Sequence, residues 1–234
     1  MVELDSGGWL DAPATLLQAL TRGMRGQRRM MAKRLINVGC ACLATAALAS
    51  CSSASGATGT VGVVGDSITQ RATTDLRSTV KGVHLEIEAL PGHTVRSMTP
   101  YVESDIMHGP DGPPQSIFIN LGTNDIIHSN PDWETNWNTL MKDTASVPCK
   151  VLFTISSVVD AYGHHPPGPT SEDFNRVIES AHDADPAHVH IIDWNAAVHA
   201  NFGLIELDGV HPTHEGEAWI ARHIGSTLKN VCGE

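Results

Sequence analysis

The sequence is poor in positive charge, with 15 Lys and Arg against 26 Asp and Glu. Six of the basic residues but three of the acidic ones fall in the first 50 positions, which leaves nine against 23, a formal −14, for the remainder. A surface of that sign repels polyanions and excludes nucleic acid as a partner, while neutral or cationic substrates stay open. Cysteine is scarce as well. Of five, Cys40 and Cys42 lie in an N-terminal apolar stretch and Cys51 directly follows it, so only Cys149 and Cys232 are left for a folded domain. The uncharged stretch itself, Leu35 to Ser50, is shorter than the about 20 apolar residues of a membrane span. There is no G-x-G-x-x-G and no G-x-x-x-x-G-K-[ST], so Gly62-Val63-Val64-Gly65 does not open a dinucleotide or P-loop site. H-E-x-x-H is missing too, and there is no internal repeat and no second domain.

What is present begins with a leader. Arg22, Arg25, Arg28, Arg29, Lys33 and Arg34 precede the uncharged stretch, the pattern of a secretory signal that is removed from the mature protein. It ends in Leu48-Ala49-Ser50-Cys51, which resembles the lipobox of bacterial lipoproteins, in which the cysteine is lipidated and becomes the new N-terminus. An ordinary signal peptide or a plain membrane anchor is the alternative. Residues 1–29 read as an upstream extension without structure, 30–51 as the signal segment, 52–60 as a flexible Ser/Gly/Ala tether, and 61–234 as the domain. At 41% hydrophobic and 18% charged residues the chain has globular composition.

Apolar runs and helical stretches alternate along that domain. Val61 to Gly65, Val83 to Glu88, Ser116 to Leu121, Lys150 to Ser156 and Val189 to Asp193 read as strands, the second of them an edge strand because it alternates apolar and polar. Between them lie helices. Ala72, Leu76 and Val80 recur every four residues in the first, and residues 94–107 offer a second that Pro100 interrupts. A third starts at Asn130, with Trp133, Trp137, Leu140 and Met141 on one core-facing side; a fourth spans Ser171 to Ala184 with Ser171 as its cap. A short helix at Asn195 to Phe202 and a final one from Thr213 to Asn230 complete the chain. Such alternation implies right-handed βαβ units and a five-stranded parallel sheet covered on both faces.

In an open parallel sheet, ligands bind outside the carboxyl ends of the strands. Ser67 follows the first strand, Gly92 the second, Gly122 and Asn124 the third, and the Asp208–His211 loop the fifth. Four distant loops thereby deliver to one edge a hydroxyl at a helix N-terminus, a close-approach glycine, an amide, and a carboxylate with an imidazole. Acyl transfer needs such a set: a nucleophile, a base with its orienting carboxylate, and oxyanion donors. A metal at Asp208, His211 and His214 is a rival use of the same loop, although thirteen histidines make chance clusters common. His164-His165 and the His188/His190 pair read as solvated residues, and Asp66 and Asp125 as loop-holding carboxylates.

The blocks Gly65-Asp66-Ser67, Gly92, Gly122-Thr123-Asn124-Asp125 and Asp208-Gly209-Val210-His211 resemble, in order and spacing, those of the SGNH or GDSL-like hydrolase superfamily, over roughly residues 61–228. The resemblance implies a flavodoxin-like three-layer α/β/α sandwich with sheet order 2-1-3-4-5. It also implies Ser67 as nucleophile, His211 as general base, Asp208 as its orienter, and an oxyanion hole lined by the Ser67 and Gly92 N–H groups and the Asn124 amide. The expected protein is a serine esterase on an acyl or acetyl ester of a lipid or glycan. It needs no metal and no organic cofactor, acts as a monomer in the bacterial cell envelope, and meets the membrane only through a lipid at Cys51. Two other readings stand beside it. Ile192-Asp193-Trp194-Asn195 and the following histidine block look like SGNH domains attached to membrane acyltransferases, which points to O-acylation of surface glycan; a surface binding lipoprotein that keeps the fold without turnover is the third.

Topology also places the two remaining cysteines. Cys149 precedes the fourth strand, at the amino edge of the sheet, and the last helix must run back antiparallel to the strands and bring Cys232 to that same edge. A disulfide between them is expected under the oxidising conditions an exported domain meets.

Overall fold

The computed structural model describes residues 59–163 and 166–233. The extension, the signal segment, Cys51, most of the tether, and His164-His165 lie outside the described residues.

Five strands, β1 (Thr60–Gly65), β2 (His84–Ala89), β3 (Ser116–Asn120), β4 (Cys149–Phe153) and β5 (Val189–Ile192), form one parallel sheet in the order β2-β1-β3-β4-β5. Helices α1 (Ser67–Thr79), α2 (Val95–Tyr101), α3 (Thr123–Ile127), α4 (Trp133–Asp143), α5 (Asp160–Gly163), α6 (Ser171–Ala184), α7 (Trp194–Ala200) and α8 (His214–Thr227) connect and follow them. The three central strands are buried along almost their whole length, as their continuous apolar runs require. Side chains alternate between the two faces of the sheet. Val64, Ile117, Ile119 and Leu152 pack with Val95, Met98, Trp137, Leu140, Phe174 and Ile178 on one side. Val63, Phe118, Val151 and Phe153 pack with Leu76, Trp194, Ile220 and Ile224 on the other. Two helix layers therefore enclose the sheet, and the α/β/α sandwich with order 2-1-3-4-5 is the observed architecture.

Local chemistry moves several expected boundaries. Pro100 does not stop α2, which runs to Tyr101; instead the chain widens immediately afterwards into i→i+5 turns over Val102–Met107. Pro100 removes one N–H from the helix ladder, and the chain runs on through it as helix. Ser171 is not the cap of α6. Thr170 is: its hydroxyl accepts from the Asp173 N–H while the Asp173 carboxylate accepts from the Thr170 N–H. Ser171 instead donates its hydroxyl to Asp160 at 2.6 Å and ties α6 to α5. Asn130 does not start α4, because its amide is drawn to Asp125 at 2.7 Å and its carbonyl accepts from the Asp132 N–H, a turn that delays the helix to Trp133. Trp133 and Trp137 do face the core, both against Phe174.

At the amino edge, Cys149 opens β4 and Cys232 ends the wide turn that follows α8; the two are joined by a disulfide with their Cα atoms 5.7 Å apart. At the opposite edge β1 connects outward to β2 while β3 lies on its other side, so the loops after β1 and β3 diverge and leave a crevice between them.

Candidate active site

Ser67 is the first residue of α1, at the point where β1 stops. The sharpness of this turn has two causes. Asp66, fully buried, caps the helix by accepting the Ile68 N–H at 2.9 Å. Gly65 lets α1 close down on the strand, since a Cβ there would come within 2.1 Å of the Thr69 hydroxyl. The positive end of the helix dipole is thus presented at Ser67.

His211 reaches this serine from 144 residues away in sequence, with its Nε2 3.0 Å from the Ser67 Oγ. Its Nδ1 lies 2.7 Å from Asp208 Oδ2. A carboxylate only accepts, so Nδ1 carries the proton and Nε2 presents its lone pair to the serine hydroxyl. The turn that joins them is made by Asp208 itself, whose Oδ1 accepts the N–H groups of Val210 and His211, both at 2.9 Å. Gly209 between them sits at φ +68°, a left-handed conformation that glycine adopts without steric cost. Burial pushes the Asp208 carboxyl upward, but the His211 N–H, the imidazole hydrogen bond, the Val210 N–H and the imidazole charge outweigh it and hold the group at about 2. Asp208 is therefore an anion throughout the neutral range.

The histidine loop is anchored by residues that sequence reading did not single out. Glu206 accepts a 2.7 Å ion pair from Arg71, one helical turn beyond Ser67 on α1, and its N–H donates to the His211 carbonyl at 2.8 Å. Residues i and i+4 share a helix face, so an arginine four places after a candidate nucleophile is the signal that could have identified this anchor. Pro212 pairs in a bridge with Ile205 and closes the base of the loop.

The other two loops hang from α3. Leu90–His93 is a tight turn with Pro91 and Gly92 at its centre, the latter at φ +75° as a type II turn demands. The turn is closed by the His93 N–H, which donates to the Leu90 carbonyl at 3.3 Å. Asn124 Nδ2 donates to the His93 carbonyl and to Asp66 Oδ2, each at 3.1 Å. Asp125 accepts the Val95 N–H at 2.9 Å. Gly122, at φ +120° ahead of α3, is pressed against Ile155 and Phe174, where a Cβ would approach to 2.6 and 2.8 Å. Structure thus brings Ser67, Gly92, Asn124, Asp208 and His211 to one edge of the sheet, and the disulfide pair to the other.

Burial also raises both inner carboxyls. For Asp66 desolvation exceeds the help of the Ile68 N–H and of His211 and lifts the group to about 7; for Asp125 it exceeds the Val95 and Asn130 hydrogen bonds. The folded protein therefore keeps a proton on Asp66 at pH values where the unfolded chain, with the ordinary 3.8, has lost it. That contribution to stability is complete below the unfolded value and is lost as pH rises through about 7. Asp66→Asn, which cannot titrate, should gain stability relative to the wild type between pH 5 and 8 when urea midpoints are compared; a constant difference across that range would contradict a buried carboxyl that ionises near neutrality.

His214, the third member of the rival metal set, turns away: its ring is fully exposed and its Nδ1 lies 3.1 Å from Glu217. Among the described residues no three His, Cys, Asp or Glu side chains converge as metal ligands. His188 pairs with Asp185, and His190 is half-buried with burial lowering its pKa.

A sequence profile of the GDSL-like lipase/acylhydrolase family matches residues 63–219. No curated protein matches the chain. Among solved structures, the C-terminal catalytic domain of Streptococcus pneumoniae peptidoglycan O-acetyltransferase A superposes with a TM-score of 0.59 at 19% identity, over 75% of this chain and 96% of that one. The lipase/acylhydrolase from Enterococcus faecalis gives 0.59 at 16% identity, over 74% and 96%. A Clostridium thermocellum family 3 carbohydrate esterase gives 0.56 at 15% identity, over 75% and 98%. At such identities the likeness speaks to the fold.

Proposed function

The chain belongs to the GDSL-like lipase/acylhydrolase family, and from that premise we propose that it is an exported serine esterase working through Ser67, His211 and Asp208 and a covalent acyl-enzyme. The observation that carries this reading is the unbroken hydrogen-bond relay from the Ser67 hydroxyl through the imidazole to a carboxylate that stays ionised. Ser67 Oγ attacks the ester carbonyl while His211 Nε2 takes its proton. Charge develops on the carbonyl oxygen beside the N-terminus of α1, where the Ser67 and Gly92 N–H groups and the Asn124 amide serve as donors. His211 then delivers the proton to the leaving alkoxide, which departs as alcohol, and water enters along the same route to release the acid.

The substrate is an acyl or acetyl ester of a lipid or a glycan. Hydrolysis of p-nitrophenyl esters of increasing chain length, set beside release of acetate from acetylated glycans, tests the reading, with Ser67→Ala as control; no turnover of any of them would count against it. Transfer to a glycan hydroxyl in place of water is the second reading, favoured by the likeness to a peptidoglycan O-acetyltransferase domain. Acyl-enzyme partitioning between water and an added glycan acceptor separates the two.

Export rests on the basic-then-apolar leader and on the disulfide, and anchoring on Leu48-Ala49-Ser50-Cys51. In a bacterial host the protein should partition into detergent, and Cys51→Ser should shift it to the aqueous phase or block processing. Unchanged partitioning would leave a simple signal peptide or an uncleaved anchor.

A further inference from the structure

We propose that Asp66 is a positioning residue for the oxyanion donor: one oxygen of its carboxyl group caps the helix that carries Ser67 while the other accepts from the Asn124 amide, so that nucleophile and donor are set by a single buried side chain. The inference rests on the serine-esterase reading and deepens it. Its basis is the division of labour between the two oxygens, Oδ1 to the Ile68 N–H at 2.9 Å and Oδ2 to Asn124 Nδ2 at 3.1 Å, with the side chain fully buried.

Two acceptors, Asp66 Oδ2 and the His93 carbonyl, converge on one end of the Asn124 side chain. Only an NH2 group can satisfy both, which settles which end of the amide is nitrogen and which way the side chain is turned. The amide is consequently held between the loop after β1 and the loop after β2, the same two loops that carry the Ser67 and Gly92 N–H groups. With both amide hydrogens engaged at rest, an oxyanion must share one of them. Asp66 faces His211 and Asp125 as its charged neighbours, and none of them supplies the cap or the amide contact in its place. A helix cap alone does not require a buried carboxyl, because serine and asparagine cap about as well as aspartate. A second acceptor oxygen aimed at Asn124 is what aspartate adds.

Asp66→Asn separates the two roles, since its side-chain carbonyl still caps Ile68 while its NH2 cannot accept from Asn124. With the full chain and p-nitrophenyl acetate as the probe, Asp66→Asn should lower kcat by about 10- to 100-fold with KM changed by less than about threefold, and Asn124→Ala should lower kcat by about 10²- to 10³-fold. The double variant should then be no slower than Asn124→Ala, because a residue that acts through the amide has nothing to act on once the amide is gone. Asp66→Ser, which keeps a capping oxygen and drops the second, should behave as Asp66→Asn does and covers the case in which that variant folds poorly, judged by near-ultraviolet circular dichroism. The proposal is overturned if both Asp66 variants turn over at the wild-type rate, or if the losses of Asp66→Asn and Asn124→Ala multiply in the double variant. Full activity in Ser67→Ala would overturn the esterase reading and this inference together, whereas loss in Ser67→Ala and Asn124→Ala with none in Asp66→Asn overturns the inference alone.

Discussion

Ser67→Ala should reduce ester hydrolysis by about 10⁴-fold or more while the protein keeps its fold, and His211→Ala should do nearly the same. The size follows from how the three side chains share one task. With the hydroxyl gone no acyl-enzyme forms, and with the imidazole gone the hydroxyl that lay 3.0 Å from it has no acceptor for its proton. The Ser67→Ala/His211→Ala variant should therefore be no slower than either single variant, since members of a relay fail together. Asp208→Asn is the sharper test. An amide in place of a carboxylate offers an NH2 or a carbonyl to Nδ1 but not the anion now held at about 2, so the tautomer with a free Nε2 lone pair is no longer enforced; a loss on the order of 10⁴-fold is expected. Stability should change little in Ser67→Ala, because the turn is held by Asp66 and Gly65 and not by the hydroxyl. Steady-state turnover of the best p-nitrophenyl ester, with urea midpoints as the fold control, decides these outcomes. Wild-type rates in Ser67→Ala would end the nucleophile assignment.

How much of this site was legible beforehand follows the range of the interactions. Gly65-Asp66-Ser67 and Asp208 to His211 each place chemistry within a few residues, so the end of a buried strand and the three-residue spacing of carboxylate and imidazole were readable from the chain. The strand order needed only the alternation of apolar runs with helices and the family resemblance. What spans several loops was not readable. Asn124 lies 58 residues from Asp66 and 31 from His93, and nothing in its surroundings in sequence says that its amide is shared between them. The Arg71–Glu206 pair, 135 residues apart, is of the same kind. Local errors had a different origin. Thr170 and Ser171 are both competent caps, and choosing between them required noticing that Asp173 stands three residues after the first of them, the capping-box spacing. Pro100 reads as an interruption in sequence, whereas the chain widens behind it and keeps Val102, Ile106 and Met107 in the core.

The same long-range logic governs the disulfide, and removing it is the change with the greatest expected effect on stability. Cys149 and Cys232 are 83 residues apart in sequence, and closing a loop of that length in the unfolded chain corresponds to about 4–5 kcal/mol in the chain-entropy description. Cys149→Ala/Cys232→Ala, which leaves no unpaired thiol, should accordingly lower the melting temperature by roughly 10–15 °C. The loss should not spread evenly. Leu228 and the wide turn after α8 pack on the same apolar layer as Leu76, Ile220 and Ile224, and the bridge is what ties this last turn to the first residue of β4. Amide exchange in residues 228–232 should therefore rise before that of the central strands. Turnover at 25 °C should stay within about twofold of wild type: the bridge sits at the amino edge of the sheet, Ser67 at the carboxyl edge, and α8 remains held along its length by α1. That separation distinguishes a clamp on the fold from a part of the machinery. An unchanged melting temperature would mean that the unfolded chain is already constrained without the bridge, and a loss of turnover at 25 °C as large as that of Asn124→Ala would mean that the far end of α8 sets the position of His211.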